Sequence, residues 1–393
     1  MRPIAKTYTI LGMKKLVILF FAFSLIIYFL TSAGHTPYDY FTRLSDAFLS
    51  GKNYLTENPS WLSELIPAGP EKFYVAYPPM AAILSVPFRF LFKNIFFQEY
   101  LSQLLGAGMV AITMLISWKI KKDIKLLVWV GILSSVGTIT WFLSATGSSW
   151  YLGQITAAFF LTLALWKGLD RKEPFLVGLF LGAAYLSRLH IIFSLPLFLY
   201  LFSDKDWFKN IFLLGLGIAP FVFFDFYYNF SRFGTIFDKG YYLIPGVLEE
   251  PWFSKGLFDL SYIPDNVKIM LGALPRLSKE SPYITPSWTG LAIWITTPSF
   301  VYAFWANIKE KLVRYSWVSI LLISLVIFAH GSTGFAQFGY RFAVDFYPVL
   351  IFLTIKGVAK KKLRWHHWLL LLIGVLVNAW GVIFINKFGW VGF

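Results

Sequence analysis

Two aspartates, Asp39 and Asp46, follow the first long apolar run of the chain. If residues 38–50 form a helix, both carboxylates lie on one face, two turns apart, with Arg43 between them. A carboxylate held at the boundary between membrane and water can take a proton from an acceptor hydroxyl. The same pattern also fits two solvated acids with a local pair between Asp39 and Arg43. We therefore treat both aspartates as candidate catalytic residues.

Three arginines are predicted at one membrane boundary, where a charged group is costly unless it is paired or functional. They are Arg188 in "YLSRLHIIF", Arg232 in "NFSRFGTIF" and Arg341 in "GYRFAVDFY". The planar guanidinium group suits a phosphate, which it can bind through two parallel hydrogen bonds. The alternatives are extension of each side chain to lipid headgroups and, for Arg341, an i,i+4 pair with Asp345.

Three further residues are candidates for the same site. Asp225 lies inside the apolar run "FVFFDFYYN", where an acid is rare and suggests function, although a hydrogen bond to a tyrosine also accounts for it. His190 stands near Arg188 in the sequence, and Tyr77 could stack on a sugar ring or belong to the aromatic belt of the membrane boundary. The histidines show no spacing typical of a metal site, so no metal ligands are predicted.

The composition indicates the elements that must position these residues. Of 393 residues, 57% are hydrophobic and only 14% are charged, which is too apolar for a soluble domain. The net charge of +15 comes from short basic clusters between apolar runs, so we expect a membrane partner and no nucleic acid. There are no cysteines and no glycine-rich nucleotide motif, which excludes disulfides, thiolate metal sites and a phosphate-binding loop of known type.

These features predict an all-α, polytopic integral membrane protein with about 11 transmembrane helices, within a range of 9 to 13. Residues 1–393 are expected to form one transmembrane domain without a separate soluble domain. The predicted spans are 14–33, 98–118, 126–145, 149–167, 174–188, 190–203, 210–228, 288–306, 315–332, 341–357 and 367–386.

The basic clusters predict the orientation of the chain. If alternate loops are cytoplasmic, 21 of the 35 lysines and arginines fall on one side, which places the N-terminus in the cytoplasm. Two long loops, 34–97 and 229–287, are then external and contain short surface helices. The apolar stretch 78–92 is predicted not to cross, because crossing would invert every later loop. We expect a plasma membrane of bacterial or archaeal type.

The order of several motifs resembles the GT-C superfamily of membrane glycosyltransferases, in particular the protein mannosyltransferase-like branch that uses polyprenyl-phosphate sugars. The similar stretches are "YDYFTRLSDAFLSGKNYL", "FYVAYPPMAAILSVPF", "SWYLGQITAAFFLTLAL", "GLFLGAAYLSRLHIIFSLPLFL", "YNFSRFGTIFDKGYY" and "QFGYRFAVDFYPVLI". The resemblance implies that an acid of the first loop acts as general base and that inversion occurs at the sugar. Asp39 matches that acid best by position and Asp46 next; Tyr40 stands where many members carry a second acid.

The sequence therefore predicts a hexosyl- or pentosyltransferase of the cell envelope. It would move a sugar from a polyprenyl-phosphate donor to a hydroxyl of a lipid, glycan or protein acceptor on the external face. No cofactor is implied with certainty, and a divalent cation, which some relatives use, stays open. The alternatives are a transporter or flippase for lipid-linked sugars, a polymerase or ligase of lipid-linked glycans, and a non-enzymatic scaffold. The lack of an internal repeat disfavours the transporter.

Overall fold

The computed structural model describes residues 2–204, 206–334 and 337–389, and for residues 2–10 only the backbone. Most of this part of the chain is α-helical, because a helix satisfies its own backbone groups in an apolar environment. In chain order the helices are α1 (Arg2–Leu30), α2 (Tyr40–Leu49), α3 (Met80–Phe92), α4 (Gln98–Ile120), α5 (Ile124–Val136), α6 (Thr140–Thr146), α7 (Ser149–Gly168), α8 (Pro174–Ser187), α9 (Leu195–Leu201), α10 (Trp207–Phe233), α11 (Ile263–Gly272), α12 (Ile293–Thr296), α13 (Lys311–Phe328), α14 (Tyr347–Ala359) and α15 (Trp365–Phe388).

The two long loops also contain short strands, which the all-α prediction did not include. In the first loop β1 (Leu65–Pro67) pairs antiparallel with β2 (Phe73–Val75), and in the second loop β3 (Arg276–Leu277) pairs with β4 (Ile284–Thr285). Eight 3₁₀ segments complete the regular structure of the described residues: Lys93–Ile95, Leu189–Ser194, Tyr241–Leu243, Val247–Glu249, Pro251–Phe253, Leu260–Tyr262, Pro298–Trp305 and Arg341–Phe346. The fold is therefore mostly helical, with two small hairpins.

The helices identify a multi-pass membrane protein with six or seven candidate spans, so the predicted eleven are not shown. Six segments of the described chain are long and apolar enough to cross a membrane, and the pair α5 and α6, bent by 49°, makes a seventh. The six are Leu11–Leu30, Gln98–Ile120, Trp207–Phe233, Lys311–Phe328, Arg341–Ala359 and Trp365–Phe388.

The predicted count of eleven exceeds what these helices support, because several apolar runs do not form one long helix. The predicted span 190–203 is a 3₁₀ segment followed by the short α9, and 288–306 is the four-residue α12 followed by another 3₁₀ segment. Helix α8 has 14 residues, about 21 Å, which is short of a hydrocarbon layer of about 30 Å.

The burial of the helices separates the interior of the bundle from its periphery. Most of α4 and nearly all of the segment Arg341–Ala359 are buried in protein, whereas only 22%, 28% and 33% of the apolar windows in Leu11–Leu30, Trp207–Phe233 and Trp365–Phe388 are buried. Helices α8 and α10 cross closely at Gly178 and Gly217, where an added Cβ would collide with the backbone of the other helix. Small residues therefore set the distance between these two helices.

The first long loop is held to the bundle by two surface helices. Helix α2 ends before Gly51, which has a φ of +71° that side-chain-bearing residues rarely adopt. Helix α3 has 13 residues, about 20 Å, so it is too short to cross the hydrocarbon layer. The hydroxyl of Ser45 donates to the carbonyl of Ala82 over 2.7 Å and joins the two helices.

Candidate active site

A buried carboxylate, Asp345, contacts polar side chains from two other parts of the chain. It lies in the 3₁₀ segment before α14 and is fully buried. Its Oδ2 atom accepts hydrogen bonds from Nη2 of Arg188 at 2.9 Å and is 2.7 Å from Nε2 of His190. The predicted i,i+4 pair between Arg341 and Asp345 does not form, because Arg188 and His190 take this carboxylate instead.

Arg341 lies beside this group and retains unused hydrogen-bonding capacity. Its side chain is 8% exposed, and Nη1 donates to Oε1 of Gln154 over 3.2 Å. Its Nε atom is buried and has no hydrogen-bond partner among the described residues, and the same holds for Nε of Arg188. The guanidinium group also lies over the ring of Phe342, 4.7 Å from its centre. Because a buried donor without a partner is costly, these two atoms indicate a place for an acceptor from a ligand.

Gln154, on α7, contacts both Arg341 and Asp345 in the 3₁₀ segment before α14. Its Nε2 donates to the backbone carbonyl of Arg341 over 2.9 Å and lies 3.5 Å from Oδ1 of Asp345. Since Gln154 is fully buried, α7 holds this segment from the interior of the bundle.

Glu64 brings the first loop to the same place. Its carboxylate accepts a hydrogen bond from Nε1 of Trp150 over 2.9 Å, and its backbone amide donates to the hydroxyl of Tyr40 over 3.1 Å. Burial raises the pKa of Glu64 to about 7, although the Trp150 bond and the positive charge of Arg341 act in the opposite direction. We call Glu64, Arg188, His190, Arg341 and Asp345 the central polar cluster.

The charges of the central polar cluster act on the side chains of Tyr241 and His330. Burial raises the pKa of Tyr241, and the charges of Glu64, Arg341 and Arg188 all act on it. Burial lowers the pKa of His330 to about 4, helped by the positive charges of Arg188 and Arg341. Near neutral pH this histidine is therefore uncharged, and its ring packs edge-on against Tyr241 at 6.2 Å.

The two predicted catalytic aspartates have different surroundings. Asp46 is bound through both oxygens by Arg89 of α3, at 2.8 Å from Nε and 2.6 Å from Nη2. Asp39 precedes α2 and accepts from Nε of Arg43 over 2.8 Å, while Arg43 also reaches Glu57 at 3.2 Å. The local pair that we considered for Asp39 and Arg43 is thus present, and neither aspartate belongs to the central polar cluster.

Asp39 is nevertheless linked to that cluster through its neighbour Tyr38. The ring of Tyr38 packs against Trp150 at 4.7 Å, and Trp150 in turn holds Glu64. The side chain of Asp39 is 22% exposed, so solvent or a ligand can reach it. Asp39 therefore lies on the outer side of the same group of first-loop residues.

The remaining predicted residues lie away from the central polar cluster. Arg232 donates to the carbonyl of Val75 over 2.7 Å and to Oδ1 of Asn229 over 2.8 Å, so its guanidinium group is engaged within the protein. Asp225 accepts from the hydroxyl of Tyr185 over 2.7 Å, which is the hydrogen bond that we considered for it.

Tyr77 occupies an aromatic group under the first loop. Its ring lies edge-on to Tyr40 at 5.3 Å and to Tyr241 at 6.3 Å, and its buried hydroxyl has no hydrogen-bond partner among the described residues. Tyr77 therefore connects the aromatic residues on both sides of the central polar cluster, and its hydroxyl is available to a ligand that reaches it.

Sequence reasoning missed Glu64, Gln154 and His330 as members of this site. Glu64 carries no motif, and its partner Trp150 is 86 positions away. Among the residues that the structure describes, no group of three or more histidine, aspartate and glutamate side chains is placed to hold a metal ion.

Comparison with known proteins shows the fold. The structure of ArnT from Cupriavidus metallidurans bound to undecaprenyl phosphate matches with a TM-score of 0.56 and 14% identity, over 92% of this chain and 63% of that chain. ArnT from the same organism in the apo state matches with a TM-score of 0.50 and 15% identity, over 91% and 62%. No family model matches the chain, and no curated protein sequence matches it significantly.

These matches show that the chain shares the fold of ArnT. The chain spans less than two thirds of the length of ArnT.

Proposed function

We propose that this protein is a membrane glycosyltransferase that moves a sugar from a polyprenyl-phosphate donor to an acceptor hydroxyl, with inversion at the sugar. The observation that carries the proposal is the central polar cluster, where the Nε atoms of Arg188 and Arg341 are buried without a hydrogen-bond partner among the described residues and the charge of Arg341 acts on Glu64. A phosphate provides the acceptors that these guanidinium groups lack. The fold-related ArnT structure holds undecaprenyl phosphate, which is a ligand of this chemical class.

Arg188 and Arg341 are the proposed ligands of the donor phosphate. Arg188 is oriented by Asp345, and Arg341 by Gln154, so both guanidinium groups are held in place before the donor binds. Fixed positive charges in a buried site stabilise the negative charge that develops on a leaving phosphate. Arg232 is not assigned this role, because its Nη1 and Nη2 atoms already donate to Val75 and Asn229.

A carboxylate of the first loop is the proposed general base, and the geometry favours Glu64. Asp46 is bound through both oxygens by Arg89, and Asp39 is paired with Arg43. Glu64 faces Arg341 and has a pKa of about 7, which suits a group that takes a proton near neutral pH. Asp39, which the GT-C resemblance favours, is the second candidate because it is accessible and close to Trp150 and Tyr38.

In the proposed reaction the acceptor oxygen forms a bond to the anomeric carbon of the sugar. The bond between that carbon and the phosphate oxygen breaks, and the polyprenyl phosphate leaves with the electron pair. The acceptor proton passes to the carboxylate of the base. The chemistry consumes no oxidant or reductant.

We propose that the two long loops and the central polar cluster lie on the external face, because the basic clusters favour this orientation. The donor would then enter from the outer leaflet and the acceptor from the aqueous side. The N-terminus would lie in the cytoplasm.

Transfer by the purified protein from a panel of radiolabelled polyprenyl-phosphate sugars tests the proposal. We expect released carrier and labelled product with at least one sugar. Glu64→Gln should lower the rate by about a hundredfold or more, whereas Glu57→Gln, whose side chain is 75% exposed in the same loop, should leave it unchanged. Loss of transfer in Asp39→Asn with full activity in Glu64→Gln would move the base to Asp39. No binding of any polyprenyl phosphate would refute the function.

A further inference from the structure

A basic cavity lies at the end of the bundle opposite to the long loops. The C-terminal end of α15 reaches the first loop, where the side chains of Asn386 and Lys387 donate to the carbonyls of Thr31 and Ser32 over 3.1 and 2.7 Å. The helix has 24 residues, about 36 Å, so its first residue stands at the far side of the bundle. The cavity, of about 420 Å³, is at this start of α15, where the segment that follows α14 meets Trp305.

Four cationic side chains line this cavity: Lys360, Lys361, Lys362 and Arg364. None of them forms an ion pair with a carboxylate in the described parts of the chain. Two acids at this end are used elsewhere: Glu310 pairs with Lys356, and Asp123 accepts from the first amides of α5. The cavity therefore concentrates positive charge without an internal counter-charge.

The wall of the cavity is a fixed structure and not only a run of solvated lysines. His366 and His367 line it, and Nδ1 of His366 is 2.7 Å from the hydroxyl of Tyr302. His367 is 2% exposed and stacks on the ring of Tyr302 at 4.5 Å. The ammonium group of Lys121 donates to the carbonyls of Ala359 and Lys361, at 3.0 and 3.2 Å, and holds the segment in place.

We infer that this basic cavity binds a phosphate-bearing anion, with the side chains of Lys360, Lys362 and Arg364 as its principal ligands. The amino terminus of the long helix α15 adds a partial positive charge at the same place. Trp305 and Trp365 are 49% and 74% exposed beside it, as is typical of aromatic residues at the level of lipid headgroups. The phosphate of an anionic lipid and free inorganic phosphate share the chemistry that this site recognises.

This site is independent of the proposed transfer reaction, because it lies at the other end of the bundle from the central polar cluster. Basic residues at this end could also serve only to set membrane orientation, since lysines and arginines concentrate in cytoplasmic loops. The two explanations differ in which basic residues should matter for binding. Orientation depends on the charges of the whole face, whereas a binding site depends on the residues that line the cavity.

Native mass spectrometry of the full chain in detergent, titrated with phosphatidylglycerol or phosphatidylcholine, tests the inference. The variant Lys360→Gln, Lys362→Gln, Arg364→Gln should bind phosphatidylglycerol about tenfold more weakly or worse than the natural chain. The control removes three charges near the start of α13 that do not line the cavity, Lys309→Gln, Lys311→Gln and Arg314→Gln, and should keep the affinity.

A third variant, Lys360→Arg, Lys362→Arg, Arg364→Lys, should restore binding, which separates loss of charge from loss of folding. Displacement of phosphatidylglycerol by millimolar inorganic phosphate would identify free phosphate as the ligand, and resistance to it would identify the lipid; both results support an anion site. Equal weakening in the cavity and control variants would overturn it, as would equal affinity for phosphatidylcholine.

Discussion

Asp46 and Arg89 form a two-bond ion pair that joins the surface helices α2 and α3, with distances of 2.8 and 2.6 Å between their atoms. Arg89 is 7% exposed, and its Nη1 atom also donates to the carbonyls of Lys93 and Phe96. The pair therefore ties α2 to the turn that ends α3. It gives Asp46, a predicted catalytic residue, a structural part in holding the first loop.

Asp46→Asn should lower stability more than activity. The substitution leaves the buried guanidinium group of Arg89 without its counter-charge, which costs about 1–3 kcal/mol. Thermal unfolding in detergent should show a lower midpoint, while transfer per folded molecule stays within about twofold of the natural chain. Asp39→Asn leaves Arg43, which is 28% exposed against 7% for Arg89 and can be solvated, so it should cost less than about 1 kcal/mol. If Asp46→Asn abolishes transfer at an unchanged midpoint, Asp46 is catalytic after all.

The rate of transfer should depend on the ionisation of Glu64. Its pKa of about 7 implies that transfer rises with pH through that value and is constant above it, because the base acts as a carboxylate. Trp150→Phe removes a hydrogen bond that stabilises the charged form, so the midpoint should move upward by up to about one pH unit. Trp61→Phe changes an exposed tryptophan of the first loop, which also contains Glu64, and should leave the pH midpoint of transfer unchanged. An unmoved midpoint in Trp150→Phe contradicts the assignment.

The same ionisation affects folding in the opposite direction. Burial raises the pKa of Glu64 from 4.5 to about 7, so the folded state binds its proton more tightly than the unfolded chain does. This contribution to stability is complete below pH 4.5 and is lost as the pH rises through about 7. The carboxylate form that the reaction needs is therefore the form that burial disfavours.

The three arginines should separate into two classes. Arg188→Lys and Arg341→Lys remove the planar donor group from the central polar cluster, and the KM for the polyprenyl-phosphate donor should rise by about tenfold or more. Arg232→Lys should leave that KM unchanged and lower the thermal midpoint, because Arg232 bonds to the backbone of Val75 and to Asn229. A KM raised equally by all three substitutions would remove the distinction.

Local sequence patterns predicted those structural features that depend on residues close together in the chain. The amphipathic stretch before Gly51 gave the surface helix α2, and its charge spacing gave the pair between Asp39 and Arg43. Arg188, His190 and Arg341 were predicted for one site, but the contacts that join them to Asp345 and Glu64 were out of reach, because Arg188 and Asp345 are 157 positions apart and Glu64 and Trp150 are 86 apart. Contacts between residues so far apart in the chain leave no periodic pattern in the sequence.

The helices of the described chain do not show eleven spans, for a different reason. Apolar composition shows that a run belongs in the membrane domain but not that it forms one continuous helix. In 288–306 the helix α12 stops after four residues and Pro298 begins a 3₁₀ segment, so this apolar run packs within the bundle without crossing it as one helix. Within the apolar helix α7, the polar residue Gln154 makes the buried hydrogen bond that positions Arg341.

The proposed orientation can be tested directly because the natural chain contains no cysteine. Single substitutions at exposed positions then report on one site each: Glu57→Cys in the first loop and Lys361→Cys in the basic cavity. In intact cells a membrane-impermeant maleimide should label the first and not the second, because the proposed orientation puts the cavity on the cytoplasmic side. After permeabilisation both should be labelled, which serves as the control for reactivity. The reverse pattern would put the central polar cluster on the cytoplasmic side and would exclude transfer on the external face.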